Sequence, residues 1–562
     1  MASTLAEVYH NSITRYADRT SHVMYERESI TYRQFGERAR ELQRLLLGAG
    51  LSAGDKVALL SSSMPNWPVC YFAVVEMGMV VVPILPGFSG EEFDQIIRHS
   101  ESKALLVSDK LYSKLSRETL ESQNIVIRTK NLGVIQAREG AGRGAGEGAG
   151  DGAGRGAGEG VVPGKRKTPA PEDTAAIIYT SGTTSAPKGV MLSHYALARH
   201  VDVSFGTFPI TEEDVFLSIL PLSHTYECSI GMIYPFAYGA KVFYLDRPPT
   251  TSTLMPAMKE IRPTLMMSVP LIMDKLYKTQ VLARFTSSAV WRAFYSRPFF
   301  RRLLHRLAGK KLIKVFGGRM RFFGIGGAKL DSSTERFLIE ARFPYSIGYG
   351  LTETAPLLAG AVPSEVRLGS TGPAVPYVQL RLDDVNAEGE GELVALTPCV
   401  MQGYFKNPEK TAEVFTTDGW FRTGDLASIS DDGFVSIKGR LNSMLVSASG
   451  ENIYPEEIES ILNSLVYVTD SLVTEDQKGK LVALVQFNYD ELERKYHGFR
   501  ENLANRMEDI RREALNYVNG RVASFSRLSE VEEQVEEFEK TPSLKIKRFL
   551  YARKGAKSTN RK

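Results

Sequence analysis

YTSGTTSAPKGV, residues 179–190, gathers two glycines, a run of Ser and Thr hydroxyls and one lysine into a single loop behind the strand-like segment DTAAIIYTS. Backbone amides freed by glycine, the hydroxyls and the Lys188 ammonium together suit a polyphosphate with its metal. Lys188 is followed by Gly189, so this is not the G-x-x-x-x-G-K-[ST] loop of P-loop nucleotidases. Ser193 is placed to cap a helix beginning HYALARH, which gives an expected order of strand, phosphate loop and helix.

Upstream of this loop the pattern alternates between strand and helix periods. Thr31 with Gln34 opens an amphipathic helix by a capping box, and Ser89 with Glu92 opens another. KVALLSSS, MVVVPIL and KALLVSD read as buried strands, with PNWPVCYFAVVEMG and EEFDQIIRHSES as helices between them. Such βαβα order predicts a parallel sheet covered on both faces. The longest apolar stretch, Val69 to Leu85, is broken by Glu76 and Pro83. It falls short of the ~20 apolar residues that a membrane span needs, so it reads as a buried helix running into a strand.

Residues 138–160 are a Gly-Ala-Gly-X repeat with alternating charge, which predicts a flexible surface loop. A second βα series runs from Val215 to about Leu358. After Gly369 the texture changes to short strands with Gly and Asp turns, GELVAL, GYF and DGWFRTGDLASISDDGFVSIKGR, which predicts hairpins or a small barrel. Beyond Arg440 a mixed α/β unit is expected, with LVALVQF as a strand, Glu491 to Asn519 as one long charged helix, and a basic tail at 551–562.

The 562 residues exceed what one core usually supports, so several folding units are expected. Lys plus Arg is 69 against 65 for Asp plus Glu, a balance of +4 that marks no overall nucleic-acid binder. Cys70, Cys228 and Cys399 lie far apart with no metal-ligand or CxxC spacing, which predicts isolated thiols in a reducing, cytoplasmic setting. MASTLAEVYHNSITRYADRT lacks a basic region followed by an apolar run and is not expected to be a signal peptide.

The loop at 179–190 resembles the phosphate-binding signature of the adenylate-forming superfamily, which contains acyl-CoA synthetases, peptide-synthetase adenylation domains and firefly luciferase. Further segments resemble that family's motifs in its order: IGYGLTET at 347–354, RTGDLA around Asp425, KGR at 438–440 and TPSLKIKR at 541–548. The resemblance implies an α/β fold. Its large N-terminal adenylation domain, 1–440, would combine parallel α/β sheets with a small β-barrel-like subdomain, and a small mobile α+β domain would occupy 441–550. It implies ATP, Mg2+ and coenzyme A as cofactors. Thr180, Ser181, Gly182, Thr183, Thr184 and Lys188 would hold phosphate. Gly326, Gly327 and Ala328 would line adenine, with Tyr349 stacked on it and Gly350 beside it. Thr352 would touch the AMP phosphate, Thr184 and Glu353 would hold magnesium, and Asp425 with Arg440 would take the ribose.

An attacking carboxylate and an ATP α-phosphate are both anions, so a cation aimed at the developing charge lowers the barrier. Aligned with the family's S-G-K-I-x-R pattern, Lys545 is implied in that role, although Leu544 stands where glycine is common. Asn442 stands at the family's hinge position in place of the usual Asp or Lys, and Ser449, Gly450 and Glu451 would line a thiol tunnel. His224, in PLSHTYECSIG, is implied near the acyl tunnel or the substrate carboxylate, with a packed core histidine as the competing reading.

Residues 281–314 mix Trp291, Phe294, Tyr295, Phe299 and Phe300 with Arg292, Arg297, Arg301, Arg302, Arg306, Lys310, Lys311 and Lys314. Two readings stand side by side: a helix lying on the inner face of an anionic membrane, or a solvated helix with an aromatic side toward the core. Similar endings accompany bacterial long-chain fatty-acid–CoA ligases, so a medium- to long-chain fatty acid and coenzyme A are the expected pair, without nucleic acid. A fatty acyl-AMP ligase delivering to an acyl carrier protein is the alternative, and a silent nucleotide-binding scaffold a remote one.

Overall fold

The capping pairs organise the first sheet. Thr31 Oγ1 accepts from the Gln34 N–H at 3.2 Å and the Gln34 side chain accepts from the Thr31 N–H at 2.9 Å, which starts the helix Tyr32–Gly48. Ser89 and Glu92 do the same for Gly90–Ser100. In this computed structural model the described residues are 2–138, 164–180, 187–285, 288–446, 452–477, 479–496, 503–541 and 545–551. The repeat from 139 to 160 and the tail from 552 lie outside them.

The first sheet orders Gly403–Tyr404, Lys188–Ser193, Thr174–Thr180, Val80–Pro83, Lys56–Leu60, Ser102–Val107, Ile125–Arg128 and Val134–Ala137. Its five strands from Thr174–Thr180 to Ile125–Arg128 are parallel. The second sheet orders Leu357–Gly360, Tyr345–Gly350, Phe322–Ile325, Leu265–Ser268, Val215–Ser218, Lys241–Tyr244, Thr20–Met24 and Ser29–Thr31, with the inner six parallel. One apolar core joins them, containing Val57, Val81 and Val190 of the first and Phe216, Val242 and Leu265 of the second. The helix Asn66–Glu76 is buried along its whole length, as an element apolar all round must be.

Gln379–Asp383, Glu390–Leu396, Phe421–Ile429 and Val435–Arg440 form a four-stranded antiparallel sheet, the turn-rich texture expected after Gly369. Val468–Glu475, Leu481–Phe487 and Glu530–Glu533 make a separate sheet with its own core of Ile458, Leu462, Val485, Ile510 and Val518. The expected single helix from Glu491 to Asn519 is two elements, Tyr489–Lys495 and Leu503–Asn519. Tyr496 leaves the helical region at φ −123 and ψ 79. Lys495 Nζ then bonds Glu513 Oε1 at 2.6 Å and the Tyr496 hydroxyl takes the other oxygen, so the short helix folds back on the long one. Among the described residues no helix is long and apolar enough to cross a membrane.

Candidate functional site

Thr174–Thr180 and Lys188–Ser193 pair antiparallel with Thr180 opposite Lys188. The glycine and hydroxyl loop therefore joins two strands. This corrects the expected strand, loop, helix order. Ser193 does cap His194–Thr207, accepting from the Ala196 N–H at 3.1 Å, but it stands a full strand beyond the loop. The reason lies in Val190 and Leu192, which are buried and extend the sheet. Ser181, Gly182, Thr183 and Thr184 lie outside the described residues. Lys188 Nζ sits 5.8 Å from the centre of the Tyr404 ring. Burial and then Lys410 depress its pKa, opposed by Glu353 and Glu413.

Across from this hairpin, Tyr345–Gly350 runs into a 3-10 turn, Thr352–Thr354. Gly350 is obligatory, because a Cβ there would lie 1.8 Å from the Pro356 carbonyl oxygen. Glu353 Oε1 accepts from the Tyr404 hydroxyl at 2.8 Å and its carbonyl accepts from the Met401 N–H at 2.7 Å. Tyr404 is paired with Val190, so one tyrosine ties the turn to the hairpin that carries Lys188. Nothing in the sequence marks this tie beyond an aromatic residue in a short strand.

Gly326, Gly327 and Ala328 follow the strand Phe322–Ile325. A Cβ on Gly326 would meet the Tyr226 ring at 3.3 Å and the Gly348 carbonyl at 3.4 Å, so Tyr226 props this turn from beneath. Gly327, at φ +89, has nothing within 4 Å of a Cβ position. A planar base would find an open shelf there. Tyr349 donates its hydroxyl to Asp425 Oδ2 at 2.7 Å.

Asp425 and Arg440 are cross-strand partners, with Arg440 Nε 3.2 Å from Asp425 Oδ1. Burial raises the Asp425 pKa, while Arg440, Tyr349 and Lys545 oppose the rise. Both carboxylate oxygens are engaged, yet each keeps a lone pair for a further donor such as a ribose hydroxyl.

Lys545 closes a turn in which the Thr541 N–H donates to its carbonyl at 2.7 Å and its own N–H donates to Thr541 Oγ1 at 3.2 Å. Loss of solvent around the ammonium and the Arg440 charge lower its pKa, against Asp425, Glu353 and Glu456. Lys545 is thus within electrostatic reach of Asp425, Glu353 and Glu456. His224 feels it too: burial and then Lys545 push that imidazole down to about 4. His224 Nδ1 accepts from the Tyr226 N–H at 3.3 Å, so a neutral ring stands beside the lysine. Glu456, which takes a hydrogen bond from Ser443 Oγ at 2.7 Å, was not singled out from sequence. Asn442 lies in the 3-10 turn Leu441–Ser443 directly after Val435–Arg440. Ser449, Gly450, Glu451 and Leu544 lie outside the described residues. Among the described residues no group of three or more His, Cys, Asp or Glu could hold a metal unaided.

The family model described as AMP-binding enzyme matches residues 9–405. A long-chain-fatty-acid–CoA ligase, FadD15 of Mycobacterium bovis, is 28% identical over 506 residues, covering 85% of this chain and 81% of that protein. Long chain acyl-CoA synthetase 1 of Arabidopsis thaliana is 28% identical over 496 residues, covering 83% and 74%. Among solved structures, ATP-bound MatB from Rhodopseudomonas palustris superposes with a TM-score of 0.76 at 24% identity over 97% of this chain and 98% of that one. The match of fold and the length of the family model agree, and the chain belongs to the AMP-binding enzyme family.

Proposed function

We propose that this chain activates a medium- to long-chain fatty acid with ATP, releasing pyrophosphate, and passes the acyl group from acyl-AMP to coenzyme A. The observation that carries the reading is the meeting of Tyr349, Asp425 and Arg440 at 2.7 and 3.2 Å, with Lys545 within electrostatic reach of Asp425 and Glu353. The names of the relatives supply the acid and the acceptor. Three dispersed buried thiols fit a reducing, cytoplasmic setting.

The roles follow from position. The adenine lies on the Gly326–Gly327–Ala328 shelf against Tyr349 and Gly350, and the ribose hydroxyls donate to Asp425, held by Arg440. Thr180, Ser181, Gly182, Thr183, Thr184 and Lys188 surround the phosphates, with Thr352 at the α-phosphate. Glu353, a hard oxygen donor beside Lys188, and Thr184 would hold the magnesium that accompanies ATP. Magnesium neutralises phosphate charge when bound.

A carboxylate oxygen attacks the α-phosphorus. The new C–O–P linkage forms as the bond to the β-phosphate oxygen breaks and pyrophosphate leaves. Lys545 faces the charge that builds on the α-phosphoryl oxygens, which is where a fixed cation lowers the barrier most. His224, neutral near pH 7, borders the carboxylate without adding a second positive charge. In the second step a thiol sulfur attacks the acyl carbon and AMP departs. The unit that carries Lys545 has its own core, and rotation about Asn442 would withdraw the lysine and bring Ser449, Gly450 and Glu451 to the thiol path.

The test is product analysis after incubation with ATP, magnesium and a fatty-acid series. Acyl-AMP and pyrophosphate should form first, and AMP should be released when coenzyme A is added. Release only on addition of an acyl carrier protein would move the acceptor to a protein-borne phosphopantetheine, and ATP binding with no pyrophosphate would reduce the chain to a scaffold.

A further inference from the structure

Between Asp274 and Asp331 the sequence carries fourteen Lys and Arg residues and not one acidic residue, in a chain whose totals are 69 and 65. The helices Ala289–Tyr295 and Pro298–Val315 fall inside this interval. They also expose several large apolar side chains: Trp291 is 44% exposed, Phe294 44%, Phe299 75%, Leu303 49% and Leu307 57%. A monomeric surface rarely clusters large apolar side chains in this way without a use for them.

The long helix is held by its other face. Arg301 donates to both oxygens of Glu340 at 3.1 and 2.8 Å, and His305 Nδ1 lies 2.8 Å from the same carboxylate. Gly309 packs so closely on the helix Ser332–Ala341 that a Cβ would lie 2.5 Å from the Ala341 carbonyl oxygen. The inner contacts fix the orientation, and the exposed face is left out of the core. On that face Phe299, Leu303 and Leu307 recur every four residues as one stripe. Arg302, Arg306 and Lys310 form the adjoining row. Arg306, Lys310, Lys311 and Lys314 are exposed, and none of them forms an ion pair among the described residues.

We propose that this face docks on an anionic lipid bilayer, with the apolar stripe among the acyl chains and the basic row against the headgroups. A cationic face with bulky apolar residues is what an interfacial helix presents, and each Lys or Arg near an anionic leaflet adds attraction. A nucleic acid would engage the cations alone and leave Phe299 and Leu307 in water. The proposal goes beyond the activation chemistry and does not depend on which acid is used.

Co-sedimentation tests it, using the full chain, no nucleotide, and vesicles of phosphatidylcholine with or without phosphatidylglycerol. Two variants are compared with the parent: Phe299→Ser with Leu303→Ser and Leu307→Ser, and Arg306→Glu with Lys310→Glu. The parent should sediment with the phosphatidylglycerol vesicles and be released by salt. Each variant should partition about tenfold less, with its melting temperature and its pyrophosphate exchange on a water-soluble acid unchanged. Equal sedimentation of parent and variants overturns the proposal. So does parent protein that ignores vesicles but binds duplex DNA or an acidic carrier protein. Because binding is read without nucleotide, failure of the activation chemistry would leave this result untouched.

Discussion

The Asp425–Arg440 end of the cleft and Lys545, assigned to the same site above, are built in different ways. Asp425 and Arg440 face each other across two strands of one sheet, and Tyr349 reaches Asp425 from a strand of another. Their geometry is fixed when the sheets form. Lys545, tied to Thr541, arrives from a unit with a separate core. Under the rotation proposed above, such a site would change its cation between two chemical steps without disturbing the nucleotide.

The sharpest way to break that contrast is Lys545→Ala. If the lysine serves the first step alone, exchange of pyrophosphate into ATP should fall by about 10²–10³, the loss seen when one preorganised donor is removed. ATP binding should be retained, and acyl transfer from a supplied acyl-adenylate should continue. Equal loss in both half-reactions would show that Lys545 belongs to the fixed half.

Asp425→Ala strikes the fixed half. It removes a buried acceptor and leaves Arg440 and Tyr349 without their partner, a loss of about 1.5–3 kcal/mol for hydrogen bonds to a charged group. The KM for ATP should rise by about ten- to a hundredfold, and both half-reactions should suffer, since AMP shares the ribose. A rise confined to the first step would contradict the assignment.

Titration of the two halves gives a smaller effect. On the roles proposed above, the first step proceeds with Asp425 ionised and Lys545 protonated. Burial raises the Asp425 pKa, and loss of solvent with Arg440 lowers that of Lys545. The exchange rate should therefore be bell-shaped. Its acidic limb should lie above the ordinary aspartate value of about 3.9 and its alkaline limb below the ordinary lysine value of about 10.4. Lys545→Arg should move the alkaline limb upward and leave the acidic one in place.

Smallest is a stability effect in the fixed half. Glu227 is buried in the π-helical turn Glu227–Ile233 just after His224, and burial pushes its carboxyl up to about 8. A raised folded-state pKa gives stability that is present below the unfolded value and lost as pH rises through the folded one. Glu227→Gln should therefore melt higher than the parent above pH 8, with the advantage shrinking toward pH 5. A constant difference across that range would show that Glu227 does not titrate in the native state.

How far the sequence reached follows the same division. Capping boxes and buried strand runs are local, so Thr31–Gln34 and Ser89–Glu92 foretold their helices. The order of motifs placed Asp425 beside Arg440, and the structure brings them to 3.2 Å. Pairings between distant segments were not legible: Tyr404 on Glu353, Tyr226 under Gly326, and Glu456 near Lys545 each depend on sheet order. The loop at 179–190 reads as leading straight into a helix because Ser193 carries a true cap signal; the strand Lys188–Ser193 has too few residues for its alternation to outweigh that cap. Exposure of residues 289–314 on the outer face could not be read either, because helical periodicity alone does not say which face a neighbour covers.

The most direct test of the central claim is acid-dependent exchange of labelled pyrophosphate into ATP by the purified chain with magnesium. Exchange should require a fatty acid, rise across the chain-length series to a long-chain optimum, and collapse in Lys545→Ala. ATP that stays unlabelled with every acid tried, or label that appears equally without any acid, would contradict the account.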